Sequence, residues 1–181
     1  MSDHHKHENG VCQCKPTAAV QSLDEMEFER GIWTAALYGD MERLEIAIGR
    51  GATNDRDNSG YTALHYAARA GHLAICKRLM AAGANVNSVT NGGVSPLHRA
   101  AMMGRVEIVE YLCQVGAHLD VRDSDGQTAL HRAAQGGYMD TIGILTRRDP
   151  SLKNVCDSRG RHPIDLVPAA TDDLKLLLTP D

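Results

Sequence analysis

Aromatic residues are scarce, with one Trp, one Phe and five Tyr in 181 residues, while alanine is abundant and there are 17 glycines. That profile suggests short helices packed closely and joined by tight turns. No excess of positive charge exists: 19 Lys and Arg stand against 23 Asp and Glu, a net charge of -4. There is no sequence-wide cationic field to hold a phosphate backbone, so nucleic-acid binding is not expected. No apolar run approaches the ~18 residues needed to cross a bilayer, and His4-His5-Lys6-His7 lacks the apolar stretch of a secretory signal. The expected location is cytoplasmic or nuclear, away from membranes. Five cysteines, an odd number scattered along the chain, fit reduced thiols better than a disulfide framework. Also lacking are a G-x-x-x-x-G-K phosphate cradle, a G-x-S-x-G elbow, an H-E-x-x-H metal helix and any carboxylate pair repeated in a plausible cleft. The chain is therefore expected to be neither an enzyme nor dependent on a cofactor. With 43% hydrophobic and 23% charged residues, it still falls within the range of ordinary folded proteins.

What is present is repetition. Thr62-Ala63-Leu64-His65 returns as Ser95-Pro96-Leu97-His98 and as Thr128-Ala129-Leu130-His131, so that successive histidines lie 33 residues apart. A glycine precedes each copy (Gly60, Gly93, Gly126), an alanine pair follows it, and a second glycine comes six residues after the histidine (Gly71, Gly104, Gly137). Degraded copies flank the three, around Gly31-Ile32-Trp33-Thr34-Ala35-Ala36 and Gly160-Arg161-His162-Pro163-Ile164. The count is five units, with the atypical ones at the ends.

Within a unit, Asp57-Asn58-Ser59-Gly60 has the composition of a β-turn. Thr62 is placed to cap the helix that follows, and Pro96 is tolerated in the equivalent first turn because the first helical amides lack partners anyway. Leu64, Ala67 and Ala68 share one face of a short helix, which Gly71 ends. A second helix is expected from about Leu73 to Ala81, with Ile75, Cys76, Leu79 and Met80 on its apolar stripe and Gly83 as a left-handed stop. Helices of roughly nine residues are unstable alone in water, and each leaves a face that only a neighbouring unit covers.

The pattern D-x-x-G-x-T-A/P-L-H-x-A-A-x-x-G-H, a second helix, then L-x-x-x-G-A-x-x-N resembles the ankyrin repeat over about residues 31 to 178. The resemblance implies an all-α repeat solenoid of stacked helix-turn-helix units with short β-turn or hairpin loops. Departures are Thr90 in place of the turn Asp, Arg105 and Tyr138 in place of the His that opens the second helix, and Asp149-Pro150 in place of the Gly-Ala stop. The fourth unit is expected to be less regular, and the charged end near Asp172-Asp173 to serve as a polar cap.

Equivalent residues in neighbouring units are separated by about 8 to 10 Å, too far for two rings to share one zinc. His65, His98 and His131 are therefore read as bonding nearby backbone, as the resemblance also implies. Cys76 and Cys113 are read as inert core thiols. His98-Arg99 and His131-Arg132 set arginines one repeat apart, either as solvated or locally bonded groups or as a ladder for an acidic peptide. Residues 1–21 hold His4, His5, His7, Cys12 and Cys14, which match no zinc pattern and are read as a flexible tail. Ser22-Leu23-Asp24-Glu25 has the form of a capping box, so the repeat domain is taken as 22–181.

An ankyrin stack implies protein binding through its turns and the exposed ends of its first helices. Carried over position by position, the partner-binding residues are Leu37 and Tyr38 in the first unit, then Asn58, Ser59, Tyr61, Arg69 and Ala70. In the third they are Asn91, Gly92, Val94, Met102 and Met103, and in the fourth Ser124, Asp125, Gln127, Gln135 and Gly136. Tyr61, Val89, Val94, Met102 and Met103, flanked by Leu37 and Tyr38, either form one apolar docking patch or pack as satellite core. A monomeric adaptor or scaffold for a protein partner is the leading function. The alternatives are a stoichiometric inhibitor of an enzyme such as a protein kinase, and metal handling by the tail. Asn87, with Val86 before it and Leu79 eight residues earlier, resembles the asparagine hydroxylated in other ankyrin repeats.

Overall fold

A computed structural model describes residues 31–168 and 176–179. The His/Cys tail, the capping box at Ser22 and the charged stretch at Asp172-Asp173 lie outside the described residues. Among residues 31–168, eight α-helices follow in pairs: α1 (Ile32–Tyr38) and α2 (Met41–Gly49), α3 (Ala63–Ala70) and α4 (Leu73–Ala81), α5 (Pro96–Met102) and α6 (Val106–Gln114), α7 (Ala129–Gly136) and α8 (Met139–Arg148). Three 3₁₀ segments are added at Ala52–Asn54, Pro150–Asn154 and Pro163–Leu166.

The first helix of each pair forms an inner row, in which α1 packs on α3, α3 on α5, α5 on α7, and α7 on Pro163–Leu166. An outer row of α2, α4, α6 and α8 runs behind it. Small side chains explain the close inner packing: Ala67, Ala68, Ala100, Ala101, Ala133 and Ala134 have no solvent exposure. Leu64, Leu97 and Leu130 fill the gaps the alanines leave, and Ile75, Leu79, Ile108, Leu112, Ile142 and Leu145 join the two rows.

Two departures from the repeat pattern have local consequences here. His72 Nε2 lies 3.1 Å from the carbonyl of Leu37, and Arg105 Nε donates to the carbonyl of Arg69 at 3.2 Å. Either side chain thus covers a carbonyl near the end of the preceding inner helix, a service that does not demand imidazole. Without a Gly-Ala stop, α8 runs ten residues, and Asp149 then accepts from Ser151 N at 3.0 Å to begin the 3₁₀ segment.

The expectation of hairpin loops is corrected. Among the described residues there is no β-strand. A hairpin needs residues on two flanking strands to exchange amide and carbonyl bonds, and the turns here are too short to provide them. Within the second unit's turn, Asp57 N donates to Tyr61 O and Gly60 N to Asp57 O, and Thr62 already caps α3. The amides of Ser59 and Tyr61 donate to Asp57 Oδ1 at 2.9 and 2.8 Å instead of to a partner strand. Successive tips are joined by one backbone bond each: Asn91 N to Ser59 O, Ser124 N to Gly92 O, and Ser158 N to Asp125 O.

The tips approach so closely that a side chain has no room at Gly93. A Cβ there would stand 2.8 Å from the carbonyl oxygen of Arg122 and 3.0 Å from Cα of Asp123, at a φ of +74°. Gly83 has a similar φ of +82° but nothing within 4 Å. Gly83→Ala should therefore incur only the left-handed backbone cost of about 1–2 kcal/mol, and Gly93→Ala clearly more, because the neighbouring backbone must also move. Urea unfolding of the two variants checks the order.

Candidate functional site

The inner helices are held in register by a repeated histidine bridge. Thr62 N donates to His65 Nδ1 at 3.1 Å, Ser95 N to His98 Nδ1 at 3.2 Å, and Thr128 N to His131 Nδ1 at 3.2 Å. A ring nitrogen that accepts from an amide carries no proton, so the proton sits on Nε2. Each Nε2 then donates to the next unit: His65 to Val94 O at 2.9 Å, His98 to Gln127 O at 3.0 Å, and His131 to Arg161 O at 3.2 Å. Burial pushes His65 down to about 4 and lowers His98 and His131 as well, because charging an enclosed ring is costly. Neutral rings with both nitrogens engaged suit a structural role.

The asparagines behind the turns work in a similar way. Asn54 Nδ2 donates to Gly83 O at 3.0 Å while Oδ1 accepts from Asn85 N at 2.9 Å. Asn87 repeats this one unit later, bonding Gly116 O and His118 N. Thiols offer little chemistry: Cys76 is buried and pushed up to about 12 by that burial, and half-buried Cys113 is raised for the same reason. Among the described residues, no group of three His, Cys, Asp or Glu side chains could hold a metal ion.

The turn tips and the ends of the inner helices form the candidate face. Asn58, Ser59, Asn91, Ser124, Asp125, Arg69 and Gln135 are exposed there, with Leu37, Tyr61, Val89, Val94 and Met102 half-buried. Tyr38 at 74% and Met103 at 37% are exposed apolar side chains at the ends of α1 and α5. Some of these residues also serve the stack. Asn91 Nδ2 donates to Asn58 O at 3.1 Å, and Val89 O accepts from Arg56 at 3.1 Å. Tyr61 packs edge-on against the His65 ring, with centroids 5.5 Å apart. Gln127 is only 3% exposed, and its amide nitrogen lies 3.3 Å from Asp157 Oδ2, so it faces the next turn instead of solvent.

Asp123 and Asp157 organise the later turns as Asp57 does the second. Asp123 Oδ1 accepts from Asp125 N and Gln127 N, and Asp157 Oδ1 from Arg159 N and Arg161 N. The Arg161 guanidinium, bonded to Asp157 Oδ2 at 2.7 and 2.9 Å, holds that carboxyl well below the usual range. Arg132 binds Asp123 and Asp125. The sequence places Arg99 and Arg132 on one ladder, but the structure separates them, since Arg99 has no such acid in its own turn. Thr90, standing where Asp57 and Asp123 stand, was the signal for it.

Residues 32–123 and 82–156 match the family model described as Ankyrin repeats (3 copies). A human protein named Ankyrin repeat domain-containing protein 39 is 45% identical over 86 residues, 45% of this chain and 47% of that protein. Its bovine namesake is 51% identical over 70 residues, 36% of this chain and 38% of that protein. The chain thus spans less than half the length of these curated relatives.

Proposed function

The chain belongs to the ankyrin repeat family, and on that premise we propose that it is a non-catalytic adaptor, binding a partner protein through the face made by its turns and inner-helix ends. The observation that supports this most is the placement of Tyr38 and Met103. Both are large, apolar and exposed, and both lie at the ends of inner helices whose other sides are committed to the core. Exposed apolar side chains on an otherwise polar surface mark interaction sites when they group together, and methionine adapts to irregular partners. A rigid row of helices presents such side chains with little loss of order on binding.

The test is a double substitution, Met102→Asp with Met103→Asp, in the full chain. A partner captured from native cells and then purified should bind wild type and lose at least a hundredfold in affinity to the variant. The unfolding temperature should stay within a few degrees, because neither side chain is fully buried. Equal affinity of the two proteins for that partner would remove the face from consideration.

A further inference from the structure

Three buried side-chain polar atoms among the described residues lack a hydrogen-bond partner: Arg99 Nε, Gln127 Oε1 and Thr141 Oγ1. Only the first belongs to a permanently charged group, and buried polar atoms without partners call for a reason. The repeat supplies one. In the second and fourth units the residue nine positions after the turn acid sits against that acid: Tyr66 donates its hydroxyl to Asp57 Oδ2 at 2.6 Å, and Arg132 donates Nε to Asp123 Oδ2 at 2.8 Å and a second bond from Nη2 to the same oxygen. In the third unit the acid is replaced. Thr90 holds the turn by accepting from Val94 N at 3.1 Å, but a hydroxyl offers no second oxygen to an arginine nine positions on.

Arg99 is consequently left with a ring and a like charge. Its guanidinium lies over Tyr61, 4.8 Å from the ring centroid. Burial and the like charge of Arg69 both disfavour its ionised form, and Arg69 is exposed and has no ion pair among the described residues. Arg99 is on α5, Arg69 ends α3 and Tyr61 precedes α3, so all three belong to the face of turns and inner helices.

We propose that the third unit is a carboxylate site, in which an Asp or Glu side chain of an acidic partner peptide pairs with the accessible edge of the half-buried Arg99, the charge that Asp123 neutralises on Arg132 from within the chain. The proposal rests on the face reading above and makes it specific. Charge complementarity selects the occupant, because two guanidinium groups without a counter-ion among the described residues attract an anion, and a planar fork suits a carboxylate. The Tyr61 ring covers one face of the Arg99 guanidinium.

The experiment selects random dodecapeptides displayed on phage against the full chain, then titrates the synthetic binders. The binders should share an acidic residue, and changing it to its amide, or making Arg99→Gln, should weaken binding at least tenfold. Thr90→Asp is the sharper variant. It restores the acid found in the second and fourth turns, so the site is filled from within: binding should fall comparably while the unfolding temperature rises. A merely structural Arg99 would give the second effect without the first. Thr90→Asp binding the peptides as wild type does, or binders indifferent to loss of their carboxylate, would overturn the site. Binders that ignore Arg99 but are lost on Met102→Asp with Met103→Asp overturn the site alone. Binders that ignore both, or a selection with no binder, overturn the face reading with it.

Discussion

Lowering the pH from 7 to 4 is expected to remove about 3 kcal/mol of folding stability, more than half of it already lost by pH 5, where most carboxylates are still ionised. His65 ionises near 6.5 in an unfolded chain and near 4 in the folded one. Between those values the unfolded state takes up a proton that the folded state refuses. Stability is therefore complete above pH 6.5 and falls with pH, at up to about 1.4 kcal/mol per unit for each such ring. His98 and His131 are lowered in the same direction and enlarge the loss. A proton added at any of the three Nδ1 atoms would also face an amide that is already donating to it. Against a total of about 5–15 kcal/mol for a domain, the change is large. Asp157, whose carboxyl is lowered, acts in a separate window: it protects above 3.8 and its contribution fades only below that. Urea unfolding followed by circular dichroism at half-unit pH steps measures the slope. A midpoint unchanged between pH 7 and pH 5 would contradict the neutral histidine bridge.

Leu97→Ala is expected to cost about 2–5 kcal/mol, the range for truncating a fully enclosed leucine. Leu97 is 1% exposed and sits on α5, whose neighbours α3 and α7 are the inner helices of the flanking units. In a linear array each unit contacts only the next, so a void at the centre weakens two interfaces, and no more distant contact compensates. Ala100 and Ala101 on the same helix are fully enclosed, and a methyl group is too small to fill the space. Ile46→Ala is the matched control. That residue is 51% exposed on α2, and its truncation should change stability by no more than about 0.5 kcal/mol. Denaturant titrations of both variants give the comparison, and broadening of the Leu97→Ala transition would report the two halves of the stack uncoupling.

The spacing of three motifs was enough to place α3 through α7 and to identify their buried faces. The limits Leu73–Ala81 expected for one outer helix are those observed. The loops were less legible. Hairpins were inferred by resemblance, whereas the turn amides of Ser59, Tyr61, Asp125 and Gln127 bond to a carboxylate, a choice fixed by side-chain placement and invisible in a composition. The face was partly legible. Gln127 and Ser124 occupy variable turn positions of the same kind, yet one is buried against the following turn and the other is open.

The period, the two-helix unit and the need to stack are written in the chain, because they follow from which residues are apolar and where glycine allows a stop. Which polar groups find partners across units emerges from the packing of one unit on the next. Arg99 and Arg132 stand 33 residues apart with the same flanking histidine and alanines, and what distinguishes them is the group that faces each guanidinium in space: Asp123 for one, the Tyr61 ring for the other. Such pairing depends on distances of a few ångströms between separate units, and a periodic sequence repeats the residue without repeating its surroundings.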